Sequence, residues 1–211
     1  MLLRRLTRLQ ALVLVGMLAG CASSGQLSGS RDTVAGAADE VGEAAIPARA
    51  LTMFEQATAI MAGGDFLGAE LRFKEFLLQY PTYPGAHVNL AIIHVKNGDD
   101  AAAAQSIDAA LAIDPEYAPA LNQKGMLLRR NGNFSEAEAA YLKAVTSNPD
   151  YALAHYNLGV LNELYLQRLD VALQHFELYQ ALVGNDRQVE KWIVDLRRRV
   201  AAIRRTANVA D

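Results

Sequence analysis

The chain is poor in the residues from which covalent and catalytic machinery is built. Cysteine occurs once, as Cys21, which excludes an internal disulfide. The histidines His87, His94, His155 and His175 stand in no His-Glu-x-x-His motif and near no second Cys or His at metal-site spacing. No metal and no cofactor are therefore expected. The one glycine-rich stretch, Gly63-Gly64-Asp65-Phe66-Leu67-Gly68, lies between two helical patterns rather than after a strand, so it does not read as a phosphate loop. Leu9 to Ala19 is an apolar run of eleven residues, broken only by Gln10 and Gly16. That is too short to span a bilayer, which takes about 20. Excess positive charge is also missing. The formal net charge is −3, and residues 50–186 carry 16 acidic against 8 basic side chains. An acidic body of this kind argues against general nucleic-acid binding.

What is present is a period. Gly64, Gly98 and Gly132 are 34 residues apart, and so are Ala69, Ala103 and Ala137, and Pro81, Pro115 and Pro149. Three interleaved series on one ruler predict an array of helix–turn–helix units, an all-α solenoid. Met53, Phe54, Ala57, Ile60 and Met61 form one helical apolar face, broken by Gly63-Gly64-Asp65. Phe66, Ala69, Phe73, Phe76 and Leu77 form the next, and Pro81 ends it. The second unit repeats this through Leu90, Ala91, Asn97-Gly98-Asp99, Ala103, Ile107, Ala110 and Pro115. The third does so through Gly125, Leu128, Asn131-Gly132-Asn133, Ala137, Tyr141, Ala144 and Pro149. Small residues recur at Ala57/Ala69, Ala91/Ala103 and Gly125/Ala137, where a missing side chain lets paired helices approach closely.

On these residues the sequence resembles the tetratricopeptide repeat (TPR) family over about residues 50–186. The third unit carries the resemblance best, through Leu121-Asn122-Gln123-Lys124-Gly125, Ala137, Tyr141, Ala144 and Asn148-Pro149. The implied fold is about four TPR hairpins, near 50–83, 84–117, 118–151 and 152–186. The fourth departs from the pattern. It opens with Ala154-His155-Tyr156-Asn157-Leu158-Gly159, lacks the turn glycine, and places Ala172 35 residues after Ala137. One inserted residue predicts a lengthened helix or an altered turn, and Gly184-Asn185 a helix stop. Val189, Trp192, Ile193, Leu196, Val200 and Ile203 then share one helical face, as expected of a capping helix at 187–206 before a tail at 207–211. Arg197-Arg198-Arg199 and Arg204-Arg205 read as a solvated face of that cap, or as contacts for anionic lipid or an acidic partner.

The N-terminus reads as a secretory signal over residues 1–20, with Arg4, Arg5 and Arg8 before the apolar run. Leu18-Ala19-Gly20-Cys21 resembles the lipobox of bacterial lipoproteins. That resemblance implies cleavage before Cys21 and acylation of its thiol. With Ala22 rather than Asp following, it also implies delivery to the outer membrane. Residues 21–49, rich in Ala, Gly and Ser, are then the lipidated residue and a flexible tether whose 28 residues after the cysteine span on the order of 30 Å.

In the TPR family the first helix of each hairpin lines the inner surface. The resemblance therefore implies a groove containing Phe54, Thr58 and Met61, then Val88, Asn89, Ile92 and Lys96. Asn122, Gln123, Met126, Arg129 and Arg130 follow, and Tyr156, Asn157 and Val160 come last. Amides among apolar side chains suit a peptide or protein partner. Asn89 matches one position of the carboxylate clamp of some members, but Thr58, Pro119 and Gln123 occupy other clamp positions, so that specificity is not implied. The leading expectation is a non-enzymatic, periplasm-facing outer-membrane lipoprotein that scaffolds or assembles an envelope complex. It resembles TPR lipoproteins of type IV pilus secretins, or accessories of TonB-type or motility systems. The alternative is an enzyme or enzyme accessory acting on cell-wall glycan or peptide.

Overall fold

The computed structural model describes residues 46–210. The signal peptide, Cys21 and all but the last few tether residues lie outside them. The described residues are helical apart from short turns. Four hairpins run α1 (Ala48–Ala62) with α2 (Phe66–Gln79), α3 (Pro84–Lys96) with α4 (Asp100–Ile113), α5 (Ala118–Arg130) with α6 (Phe134–Ser147), and α7 (Ala152–Leu164) with α8 (Leu169–Val183). A longer α9 (Arg187–Ala210) closes the series against α8. Each first helix packs on its own second helix. The first helices α3, α5 and α7 also touch their neighbours in turn, so they form one continuous inner layer.

The periodic residues hold this arrangement for identifiable reasons. Ala57, Ala69, Ala91, Ala103 and Ala137 are fully buried where helices cross. At Gly125 a Cβ would lie 2.5 Å from the Tyr141 ring, and at Gly159 it would lie 2.7 Å from Phe176. Each glycine thus makes the room that a large aromatic of the partner helix fills. The turn glycine Gly98 has φ +78°, a left-handed conformation that Gly64 and Gly132 share. Asp65 and Asp99 follow two of these turns and cap the next helix, accepting from the Gly68 and Ala102 amides at 2.8 and 2.9 Å. Pro81, Pro115 and Pro149 lie just beyond the ends of α2, α4 and α6.

The fourth hairpin has an altered turn rather than a lengthened helix. In the second and third units an amide reaches back five residues, Asp99 to the His94 carbonyl and Asn133 to Leu128, both at 2.9 Å. In the fourth, Arg168 reaches back six, to Asn162 at 2.9 Å. The extra residue is absorbed between them, and Gln167 takes the left-handed position at φ 55°. Gly184 ends α8 at φ 81°.

Val189, Ile193, Leu196 and Val200 of α9 are buried, and Trp192 packs on Phe176 and Tyr156 at ring distances of 5.5 and 6.1 Å. Two expectations are corrected here. Ile203 is 55% exposed, because α9 has 24 residues against the 15 of α8 and outruns it. The helix also continues to Ala210, through the stretch expected as a tail. Two residues of its basic cluster pair back onto the array, Arg197 with Glu177 and Arg199 with Glu163, both at 2.7 Å, while Arg198 pairs with Asp195 within α9 itself.

Candidate functional site: a cleft on the inner helix layer

Of the expected groove residues, four converge. Gln123, Met126, Arg129 and Arg130, on the last two turns of α5, line a cleft of about 310 Å³ together with Val95, Leu127 and Tyr165. The cleft therefore draws on three successive hairpins. Arg130 forms its edge, donating from Nη1 to the Val95 carbonyl at 3.1 Å and lying 3.4 Å from the Asp100 carboxylate. Arg129 is differently placed. Its Nη1 is buried and has no hydrogen-bond partner among the described residues. The Tyr141 hydroxyl is also buried without a hydrogen-bond partner among the described residues. Burial pushes that phenol up to about 12, against the pull of the neighbouring Arg129 cation. Tyr165 stacks on Phe134 with ring centroids 4.6 Å apart, which fixes the far wall.

The remaining expected residues do other work. Phe54 is packed edge-on between Phe73 and Phe76 at 5.6 and 5.7 Å, and Met61 joins the same first-hairpin core. The Thr58 hydroxyl turns back to the Glu55 carbonyl at 2.9 Å. Val88 is buried with Ala110 and Ala120. Asn89 and Ile92 are half-buried and Lys96 is exposed. Tyr156 stacks on Tyr179 at 5.3 Å within the last core, and Val160 packs there too. Asn122 and Asn157, expected on the groove, are buried at 1% and 6% exposure. The Asn157 amide donates to Asn122 Oδ1 at 2.9 Å, and Asn122 points its own amide at the Met126 sulfur, 3.7 Å away. The two side chains thus satisfy each other across the third and fourth hairpins instead of facing out.

Val95, Leu127 and Tyr165 were missed. Val95 is the repeat equivalent of Arg129, 34 residues earlier, so the register itself could have found it. Tyr165 lies in the inserted turn, where the register fails.

A second polar feature ties α7 to α8. His155 and His175 meet through their Nδ1 atoms at 3.1 Å, while His155 Nε2 lies 3.0 Å from the Pro149 carbonyl. That carbonyl can only accept, so His155 holds a proton on Nε2, and with both rings neutral His175 donates from Nδ1 to His155 Nδ1. Burial, aided by His155, pushes the His175 imidazole down to about 4. With the ring centroids 5.4 Å apart, the pair makes a direct hydrogen bond rather than a set of ligands converging on a metal. Among the described residues no group of three or more His, Cys, Asp or Glu side chains is placed to hold a metal ion, and no helix is long and apolar enough to cross a membrane.

The cleft offers binding chemistry: an amide for peptide backbone, a thioether and aliphatic wall for apolar side chains, and a guanidinium for an acceptor. Comparison with known proteins agrees with this reading of the fold. No curated protein matches the chain. Among solved structures, one from a functional characterisation of Pseudomonas aeruginosa pilF is similar at 23% identity and a TM-score of 0.64, over 72% of this chain and 69% of that one. A thermophilic TPR protein of Thermus thermophilus is similar at 21% identity and a TM-score of 0.62, covering 71% and 82%. The first TPR domain of Spaghetti (RPAP3), solved with an HSP90 peptide, is similar at 19% identity and a TM-score of 0.52, covering 56% and 95%. A family model described as tetratricopeptide repeat matches residues 54–118 and 122–187. The chain belongs to the tetratricopeptide repeat family.

Proposed function

We propose that the protein is a lipid-anchored scaffold of the bacterial outer membrane. It faces the periplasm and holds a protein partner through the inner-layer cleft while an envelope complex assembles. The single observation that carries the binding part is the cleft itself: four expected residues, Gln123, Met126, Arg129 and Arg130, gathered at one opening. Its mixed lining suits an extended segment of a partner, with backbone amides meeting Gln123 and an apolar side chain resting on Met126, Leu127 and Val95. The anchor part rests on Leu18-Ala19-Gly20-Cys21 and the tether composition. More than one acyl chain on Cys21 makes attachment stable. The complexes that best suit such a scaffold are pilus-secretin assemblies and TonB-type or motility machines.

The test is in the native host. Cys21→Ser is expected to abolish palmitate incorporation and release the protein from outer-membrane fractions. Met126→Asp with Arg129→Ala is expected to leave anchoring intact while the co-purifying partner is lost. Palmitate retained in Cys21→Ser refutes the anchor, and undiminished partner recovery refutes the cleft.

A further inference from the structure

The repeats supply their own control for surface residues. Leu67, Leu71 and Leu78 of α2 are 70%, 61% and 86% exposed. At about 100° per residue they fall within about 40° of one another around the helix axis, so they form one stripe. Shifting by the repeat length gives the matching outward positions elsewhere. These hold Ala101, Gln105 and Ala112 in α4, Ser135, Ala139 and Thr146 in α6, and Asp170, Gln174 and Ala181 in α8. All of these are small or polar, and none is buried. Three leucines at positions the rest of the array leaves small or polar mark an interaction surface peculiar to the first hairpin.

We propose that this stripe lies on the surface of the bilayer to which the chain is anchored. The proposal rests on the lipid anchor proposed above. Three arguments favour lipid as the occupant. The chain enters the array at α1, the partner of α2, so the first hairpin is the one nearest the lipidated end, within the tether's reach of on the order of 30 Å. The area is wrong for a second copy. Three leucines cover on the order of a few hundred Å², against about 800 Å² per partner in a stable protein interface. Leucines entering a lipid interface need no such complementary surface. The flanking charges also suit a headgroup layer. Lys74 sits within the stripe with a long stem that lets its ammonium reach the polar zone, and it is neutralised by Glu70 at 2.6 Å. Arg72 pairs with Glu75 at 2.8 Å beside it. Because α2 is a second helix, its outer face lies opposite the inner layer. Laying it on the membrane turns the Gln123–Arg130 cleft towards the periplasm.

The experiment uses the full, lipid-anchored chain. With the Cys21 thiol acylated, a cysteine introduced by Lys74→Cys is the one site that reacts with an environment-sensitive maleimide dye. Asp108→Cys, at the same repeat position in α4, is the control. Each protein is reconstituted in phosphatidylethanolamine/phosphatidylglycerol vesicles, with and without nitroxide-bearing lipid. The Lys74→Cys label is expected to be blue-shifted and quenched several-fold more than the Asp108→Cys label, and to lose both properties when Leu67→Gln, Leu71→Gln and Leu78→Gln are added. Equal, water-like emission at both sites overturns the proposal while leaving the anchor standing. A blue shift that resists lipid quenching and grows with protein density overturns it in favour of a second copy. A second label on Cys21 refutes the anchor and the proposal with it.

Discussion

Asn157 donates its side-chain amide to Asn122 Oδ1 at 2.9 Å, with both side chains almost wholly buried between the third and fourth hairpins. The pair costs desolvation, and its partners must stay in register to repay it. Replacing Asn157 by Leu leaves Oδ1 of Asn122 without this donor, and is expected to destabilise the protein by about 1–3 kcal/mol. The double variant Asn122→Leu, Asn157→Leu should cost less than the sum of the singles, because neither polar group is then orphaned. A denaturant double-mutant cycle measures this. Strict additivity contradicts the assignment.

The contact of Gly125 with Tyr141 gives a second test. Gly125→Ala places a methyl against a ring that is itself fully buried, and overpacking of this kind costs about 1–3 kcal/mol. Combining Gly125→Ala with Tyr141→Leu should recover part of the loss. A helix propensity gain of about 1 kcal/mol from replacing Gly opposes the cost, so an increase in stability would show that the ring moves aside freely.

Gln167 occupies a left-handed position that glycine fills in the other three hairpins. That conformation costs a non-glycine residue about 1–2 kcal/mol, and glycine's extra unfolded-state entropy offsets part of it. Gln167→Gly is expected to raise stability by roughly 0.5–1 kcal/mol in a urea titration. A loss would mean that the side chain makes a contact stronger than the strain it bears.

The His155–His175 bond sets a pH dependence. The His175 imidazole is depressed to about 4 in the folded chain against about 6.5 when exposed, so the unfolded state binds more protons between those values. Stability from this group is fully present above about pH 6.5 and is lost as pH falls towards about 4. Partial solvent exposure screens the effect to the order of 1 kcal/mol. The melting temperature of the wild type should therefore fall more between about pH 7 and about pH 4.5 than that of His175→Gln. Parallel curves contradict it.

The fold was legible because packing at helix crossings tolerates few residue types. Ala69, Ala103 and Ala137, with the turn glycines, recur wherever two helices must touch or the chain must reverse. The site was legible only where the register held. Gln123, Met126, Arg129 and Arg130 follow the inner face of α5 and line one cleft. Asn122 and Asn157 are not groove residues, because they turn towards each other and bond in the buried space between the third and fourth hairpins, a pairing across repeats that no single helical face displays. Phe54 and Tyr156 belong to the two end hairpins, where missing or unlike neighbours leave large aromatics to fill the core. Tyr165 stands in the irregular turn, and no period points to it.

The central claim is that a partner occupies the inner-layer cleft. A photo-crosslinking amino acid at Gln123 or Met126 of the anchored chain, in living cells, tests it most directly, with Gln105 on the outer face as control. The account predicts a discrete adduct of one protein from the two cleft positions, absent from Gln105 and lost when Arg129→Ala is added. Adducts equally abundant from the outer face, or unaffected by Arg129→Ala, would contradict it.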